Sequence, residues 1–85
     1  MAQTDSTNMF FEAGRMYRCI KGVKKSFRKG KEYLPNRVDR FFAWFTNDSG
    51  EIHTWPQIDN IQHECELWNF KQEEIDPRLY FEPVL

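Results

Sequence analysis

Four side chains in this sequence are of the types that ligate metals or activate a nucleophile: Cys19, His53, His63 and Cys65. Structural zinc sites show paired ligands at short spacing, twice. Only His63-x-Cys65 has such a spacing here, so a buried thiol and a surface imidazole fit the pattern better than a metal centre. Hydrolysis needs a nucleophile held by a base, or two carboxylates flanking a bond. No Ser or Cys motif sets a nucleophile on a tight turn beside either histidine. Glu64, Glu66, Glu73 and Glu74 read as a solvated acidic run. Gly22 and Gly30 are too far apart, and precede no helix, to cradle a phosphate. No enzyme, no metal and no cofactor is the resulting expectation.

The strongest chemical signal is cationic. Lys21, Lys24, Lys25, Arg28, Lys29 and Lys31 fall within eleven residues, and Arg15, Arg18, Arg37 and Arg40 flank them. Small β domains bind nucleic acid by pairing a positive loop with exposed rings that stack on bases. Tyr17, Phe42, Trp44 and Trp55 are the candidate rings. A domain devoted to nucleic acid is usually basic overall, whereas this chain has a formal net charge of −1. That figure hides a segregation. Residues 1–40 hold ten Lys/Arg against four Asp/Glu, a formal +6, and residues 41–85 hold two against nine, a formal −7. Such a split can steer a partner, pair two copies head to tail, or be neutralised when the halves pack together. In the last case Glu64, Glu66, Glu73 and Glu74 would pair with the basic loop. The acidic run itself contains Trp68 and Phe70, and aromatic anchors ringed by carboxylates suit a contact on a basic protein. Leu67, just before Trp68, is expected in the core.

The elements that must position these groups are short strands. Asp39 to Thr46, then Asn47-Asp-Ser-Gly50, then Glu51 to Trp55 predicts a β-hairpin: runs rich in aromatic and β-branched residues flank four turn formers. Gly50 can take the positive φ needed near the end of such a loop. Phe41, Ala43 and Phe45 point one way, Phe42 and Trp44 the other, so both faces of this ribbon should be covered. Arg15 to Ile20 predicts a first strand. Glu32 to Leu34 predicts a second, ended by Pro35. His63 to Phe70 reads as a strand with a bulge, with Cys65 and Leu67 on one face and Trp68 and Phe70 on the other. Lys71 to Asp76 suggests a helical turn, and Leu79 to Phe81 a short last strand. The apolar Met9-Phe10-Phe11 is expected to dock on the domain, behind a mobile polar tail at residues 1–8.

At 85 residues with 16% aromatics, the chain predicts one small domain with a modest, ring-rich core. No apolar run is long enough to span a bilayer, and the polar start carries no apolar signal core. A cytoplasmic protein with no membrane contact is expected, with Cys19 and Cys65 as reduced thiols buried in strands.

The order of strand, basic loop with Phe27-Arg-Lys-Gly-Lys-Glu-Tyr33, strand, and aromatic hairpin turned by Asn47-Asp-Ser-Gly50 resembles the small SH3-like β-barrel proteins of bacteriophages and prophages. The resemblance covers about residues 15–55, through Tyr17-Arg-Cys-Ile20, Phe27 to Tyr33 and Phe41 to Trp55. It implies an all-β fold, an SH3-like barrel of about five antiparallel strands, with residues 56–85 as an acidic C-terminal extension. It also implies a phage origin, and functions that range from nucleic-acid contact to the binding of host proteins. No catalytic residues travel with the motif.

The leading expectation is a non-enzymatic phage accessory protein, acting in the cytoplasm of an infected host. It would bind and inhibit or redirect a host protein, such as a defence component. One alternative is a nucleic-acid-binding module using residues 21–40. Another is a sponge for a small anionic nucleotide. Self-association through opposite charges is a further partner mode. The candidate binding residues are Lys21, Lys24, Lys25, Arg28, Lys29, Lys31, Arg37, Arg40, Trp44, Trp55 and Trp68.

Overall fold

The computed structural model describes residues 9–85, so the tail expected at residues 1–8 lies outside the described residues. Six short strands run in chain order: β1 (Tyr17–Cys19), β2 (Glu32–Tyr33), β3 (Arg37–Val38), β4 (Phe42–Thr46), β5 (Ile52–Pro56) and β6 (Phe81–Pro83). They form two antiparallel three-stranded sheets, ordered β2-β1-β6 and β3-β4-β5, in a small β-rich fold. Between β5 and β6 lie a 3-10 turn (Ile58–Asn60), helix α1 (Ile61–Trp68), a short helix α2 (Gln72–Ile75) and a second 3-10 turn (Pro77–Leu79).

The central hairpin forms as its turn chemistry dictates. Asn47 Oδ1 accepts from the amides of Ser49 (2.9 Å) and Glu51 (3.0 Å), and Gly50 sits at φ +83°. This register opposes Ala43 to Trp55 and Trp44 to Thr54. Ala43, Phe45 and Trp55 therefore face inward and are buried, while Trp44 faces out. Phe41, expected inward, is exposed instead. It precedes β4, in a turn where Asp39 Oδ1 accepts from the amides of Phe41 and Phe42 (both 2.8 Å). Strand β3, which pairs Arg37 with Trp44 and Val38 with Ala43, was not anticipated from the sequence.

The core is a cluster of rings between the two sheets. Phe45 of one sheet stacks on Phe81 of the other, with centroids 5.5 Å apart and planes at 5°. Phe27, from the basic loop, meets Tyr33, Phe45, Trp55 and Phe81 edge to face, the favoured geometry for ring quadrupoles. Phe11 is fully buried against Tyr17, Phe45 and Phe81, so the apolar N-terminal segment docks as expected. Gln57, also fully buried, holds it there: Oε1 accepts from the Phe11 amide (2.9 Å) and Nε2 donates to the Phe11 carbonyl (3.0 Å).

The acidic last third contributes more than surface. Its end returns as β6, which pairs with β1 and places Phe81 opposite Cys19. The segment 61–68, however, is helix and not the bulged strand expected. Ile61, Cys65 and Trp68 recur at helical spacing, and Asn69 closes the helix in the left-handed conformation at φ +61°. The α2 turn agrees with expectation, with Glu74 reaching back to the Lys71 amide (2.8 Å).

Candidate functional site

Lys21, Lys24, Lys25, Arg28, Lys29 and Lys31 are all exposed on the β1–β2 loop. The loop is braced and not free-hanging. Val23 and Phe27 pair across a tight turn, with Lys24 at φ +44° on its tip. The hairpin turn grips it from the side. The Asp48 amide donates to the Ser26 carbonyl (2.8 Å), Lys31 Nζ reaches Asp48 Oδ1 (2.6 Å), and the Tyr33 hydroxyl donates to the same carboxylate. The Lys31 ammonium, with help from the Tyr33 hydroxyl, holds the Asp48 carboxyl below the usual range. Lys31 thus braces the loop by pairing with Asp48 rather than with the distant acidic run. Lys21 lies over the Tyr80 ring at 5.3 Å.

Of the rings expected to stack bases, two are in the core. Tyr17 is fully buried and Trp55 is 3% exposed, because the inward parity of their strands is set by Cys19 on β1 and Ala43 across β5. Trp55 is packed by His53, Tyr80, Phe27 and Phe81, and among the described residues its Nε1–H has no hydrogen-bond acceptor. Trp55 is accordingly a structural residue and not a contact. Phe42 and Trp44 remain outward and half-buried, with Arg37 stacked on Trp44 at 4.6 Å.

His53 stacks on Trp55 at 5.0 Å, and burial pushes its imidazole pKa down. The unfolded chain then takes up the proton more readily than the native one. The stability His53 allows is complete above its ordinary pKa of 6.5 and falls as the pH drops below that value. Urea midpoints measured from pH 7.5 to 5 should decline in the wild type, and His53→Phe should flatten that decline. An equal slope in both proteins would rule out His53 as its source.

Exposed apolar side chains occur at Leu34, Phe41, Ile52 and Leu85, and several more gather in the sequence of the helical segment. Leu67 is 59% exposed, Trp68 62%, Phe70 45% and Leu79 43%. Leu67, expected in the core, is therefore a surface residue, and Cys65, expected buried in a strand, is half-exposed on α1. The helical period moved both. Among residues 57–75, Asp59, Glu64, Glu66, Glu73 and Glu74 face a single cation, Lys71, for a formal −4. The charges of Glu74 and Glu73 add to burial in raising the Tyr80 hydroxyl pKa, so this lobe carries a negative potential. Leu67 was missed as a binding residue. The signal that finds it is the four-residue spacing of Ile61 and Cys65, which fits a helix and leaves Leu67 off its more buried edge.

No protein-family model, curated protein or solved structure matches this chain. Among the described residues no three or more His, Cys, Asp or Glu side chains gather as metal ligands, no pocket opens, and no helix is long and apolar enough to cross a membrane.

Proposed function

We propose that this is a non-enzymatic binding protein whose helical lobe, residues 57–75, docks on a basic surface of another protein. The carrying observation is the exposure of Trp68 at 62% and Leu67 at 59% on an eight-residue helix surrounded by carboxylates. A helix this short is marginal by itself in water and gains stability from packing. α1 buries only Ile61 on its own chain. Exposed Leu67, Trp68 and Phe70 within an acidic segment supply the apolar anchors of a protein interface, and the segment's negative charge selects a basic partner.

The SH3-like barrel is part of the same reading. β2 and β3 are separated by three residues that include the buried Pro35, as in one bent strand that serves both sheets. The 3-10 turn then follows the second strand of the hairpin. On this reading α1 and α2 are an insertion before the last barrel strand, and an insertion is where a common scaffold acquires its own partner. The phage origin, and a host protein such as a defence component as the target, rest on the sequence resemblance.

The test compares capture from a bacterial lysate by wild type, Trp68→Ala, and Glu73→Lys with Glu74→Lys. A specific band should weaken about 30-fold or more in affinity with Trp68→Ala, the scale of an interface hot spot. The charge-reversed pair should slow its association. Melting temperatures should stay within about 2 °C, since these side chains are exposed. Undiminished capture by Trp68→Ala would refute the assignment of the lobe.

A further inference from the structure

The two sheets differ on their outer faces. On β2-β1-β6 that face is closed by charge: Arg18 lies between Glu32 (3.2 Å) and Glu82 (3.0 Å). On β3-β4-β5 the outward positions are Arg37, then Phe42, Trp44 and Thr46, then Ile52 and Thr54, with Pro56 of the same parity but buried. None is a carboxylate. The Phe42 and Trp44 rings are 5.9 Å apart, Arg37 lies 4.6 Å above Trp44, and Ile52 is 60% exposed at the edge. In the adjoining turn, Arg40 stacks on the exposed Phe41 at 5.5 Å.

We propose that this face is a stacking platform for single-stranded nucleic acid. Rings two residues apart on one strand present successive π-faces on the same side of the sheet. Bases of any identity stack on such rings, while guanidinium groups beside them either stack on the bases or neutralise phosphate. The Arg37 guanidinium already lies over the Trp44 ring at 4.6 Å, so a base can take that position while the guanidinium turns to a phosphate oxygen. Charge complementarity favours this occupant over a basic protein. The outward positions hold one cation, Arg37, and no anion, so the charge that this face itself presents is positive. The site is separate from the helical lobe, and it differs from the basic loop in using rings that the loop lacks.

The test is fluorescence anisotropy of labelled 20-nucleotide oligo(dT), oligo(U) and a mixed-sequence duplex, at about 20 and 150 mM salt. The single strands should bind and weaken with salt, and the duplex should bind less well. Trp44→Ala should lower single-strand affinity about tenfold, within the range seen when one stacking ring is removed. Arg37→Glu should lower it at low salt and reduce the salt slope by about one. If Trp44→Ala does not fold, as read by circular dichroism, Arg37→Glu decides alone. Lys24→Glu with Lys25→Glu separates platform from loop. Binding that this pair abolishes while Trp44→Ala and Arg37→Glu leave it intact overturns the proposal, as does equal affinity for the duplex or no binding at low salt.

Discussion

Phe81→Ala is expected to destabilise the protein by about 4 kcal/mol, the usual cost of emptying a buried phenylalanine site. Phe81 is 1% exposed and touches rings from every part of the fold: Phe11, Phe27, Tyr33, Phe45 and Trp55. It is also the residue through which the C-terminal third closes the core, since β6 supplies one edge of the β2-β1-β6 sheet. A domain of this size has a total stability of about 4–13 kcal/mol, so the variant should be partly or wholly unfolded at 37 °C. Urea denaturation followed by tryptophan fluorescence reads the loss as a lower midpoint. Phe70→Ala, at an exposed ring, should cost less than about 1 kcal/mol. Equal costs at the two positions would mean that the ring cluster is not the core.

Gln57→Leu should be the next most damaging change, at about 3 kcal/mol. The side chain is fully buried and makes three hydrogen bonds, two to the backbone of Phe11 and one from Nε2 to the Asp39 carbonyl (3.1 Å). Leucine fits the volume and satisfies none of them. Each orphaned buried group costs about 1–3 kcal/mol, although the loss is capped once Phe11 detaches and regains water. Hydrogen exchange separates the two outcomes. Local detachment speeds exchange at the Phe11 amide alone, and global loss speeds it throughout the core. Gln57→Glu turns a carboxylate oxygen toward the Phe11 and Asp39 carbonyls in a fully buried site, so at neutral pH it should cost at least as much as Gln57→Leu. A neutral Gln57→Leu would show that the N-terminal segment is not held by this residue.

Local chemistry made the hairpin legible. Asn47 to Gly50 form a turn closed by local bonds from the Ser49 and Glu51 amides to Asn47 Oδ1, and the flanking runs have strand periodicity. Phe27 and Tyr33 were also legible as apolar anchors on either side of Lys29-Gly30, and both are buried. The segment from His63 to Phe70 was not. Over eight residues, Cys65 with Leu67 and Trp68 with Phe70 satisfy a two-residue period with a bulge, while Ile61, Cys65 and Trp68 satisfy the helical one. Length alone does not choose between them. The candidate site moved with that segment: as a strand it buries Leu67, and as a helix it exposes Leu67 beside Trp68.

The sequence by itself determined where the chain turns, which stretches extend, how charge divides between the two halves, and that a ring-rich core would form. These follow from backbone sterics, side-chain alternation and composition, which act over a few residues. Only the tertiary structure decided which rings are core and which are surface. Trp44 and Trp55 lie in the same hairpin, and alternation could not say which faces inward. The pairing of Ala43 with Trp55 and of Arg37 with Trp44, and the closure of the core by Phe11 and Phe81, settled it. Gln57 and Phe11 are 46 residues apart in sequence, and their bond depends on the packing of everything between them. Sidedness of this kind is a long-range property, because a strand buries whichever face the rest of the chain can cover.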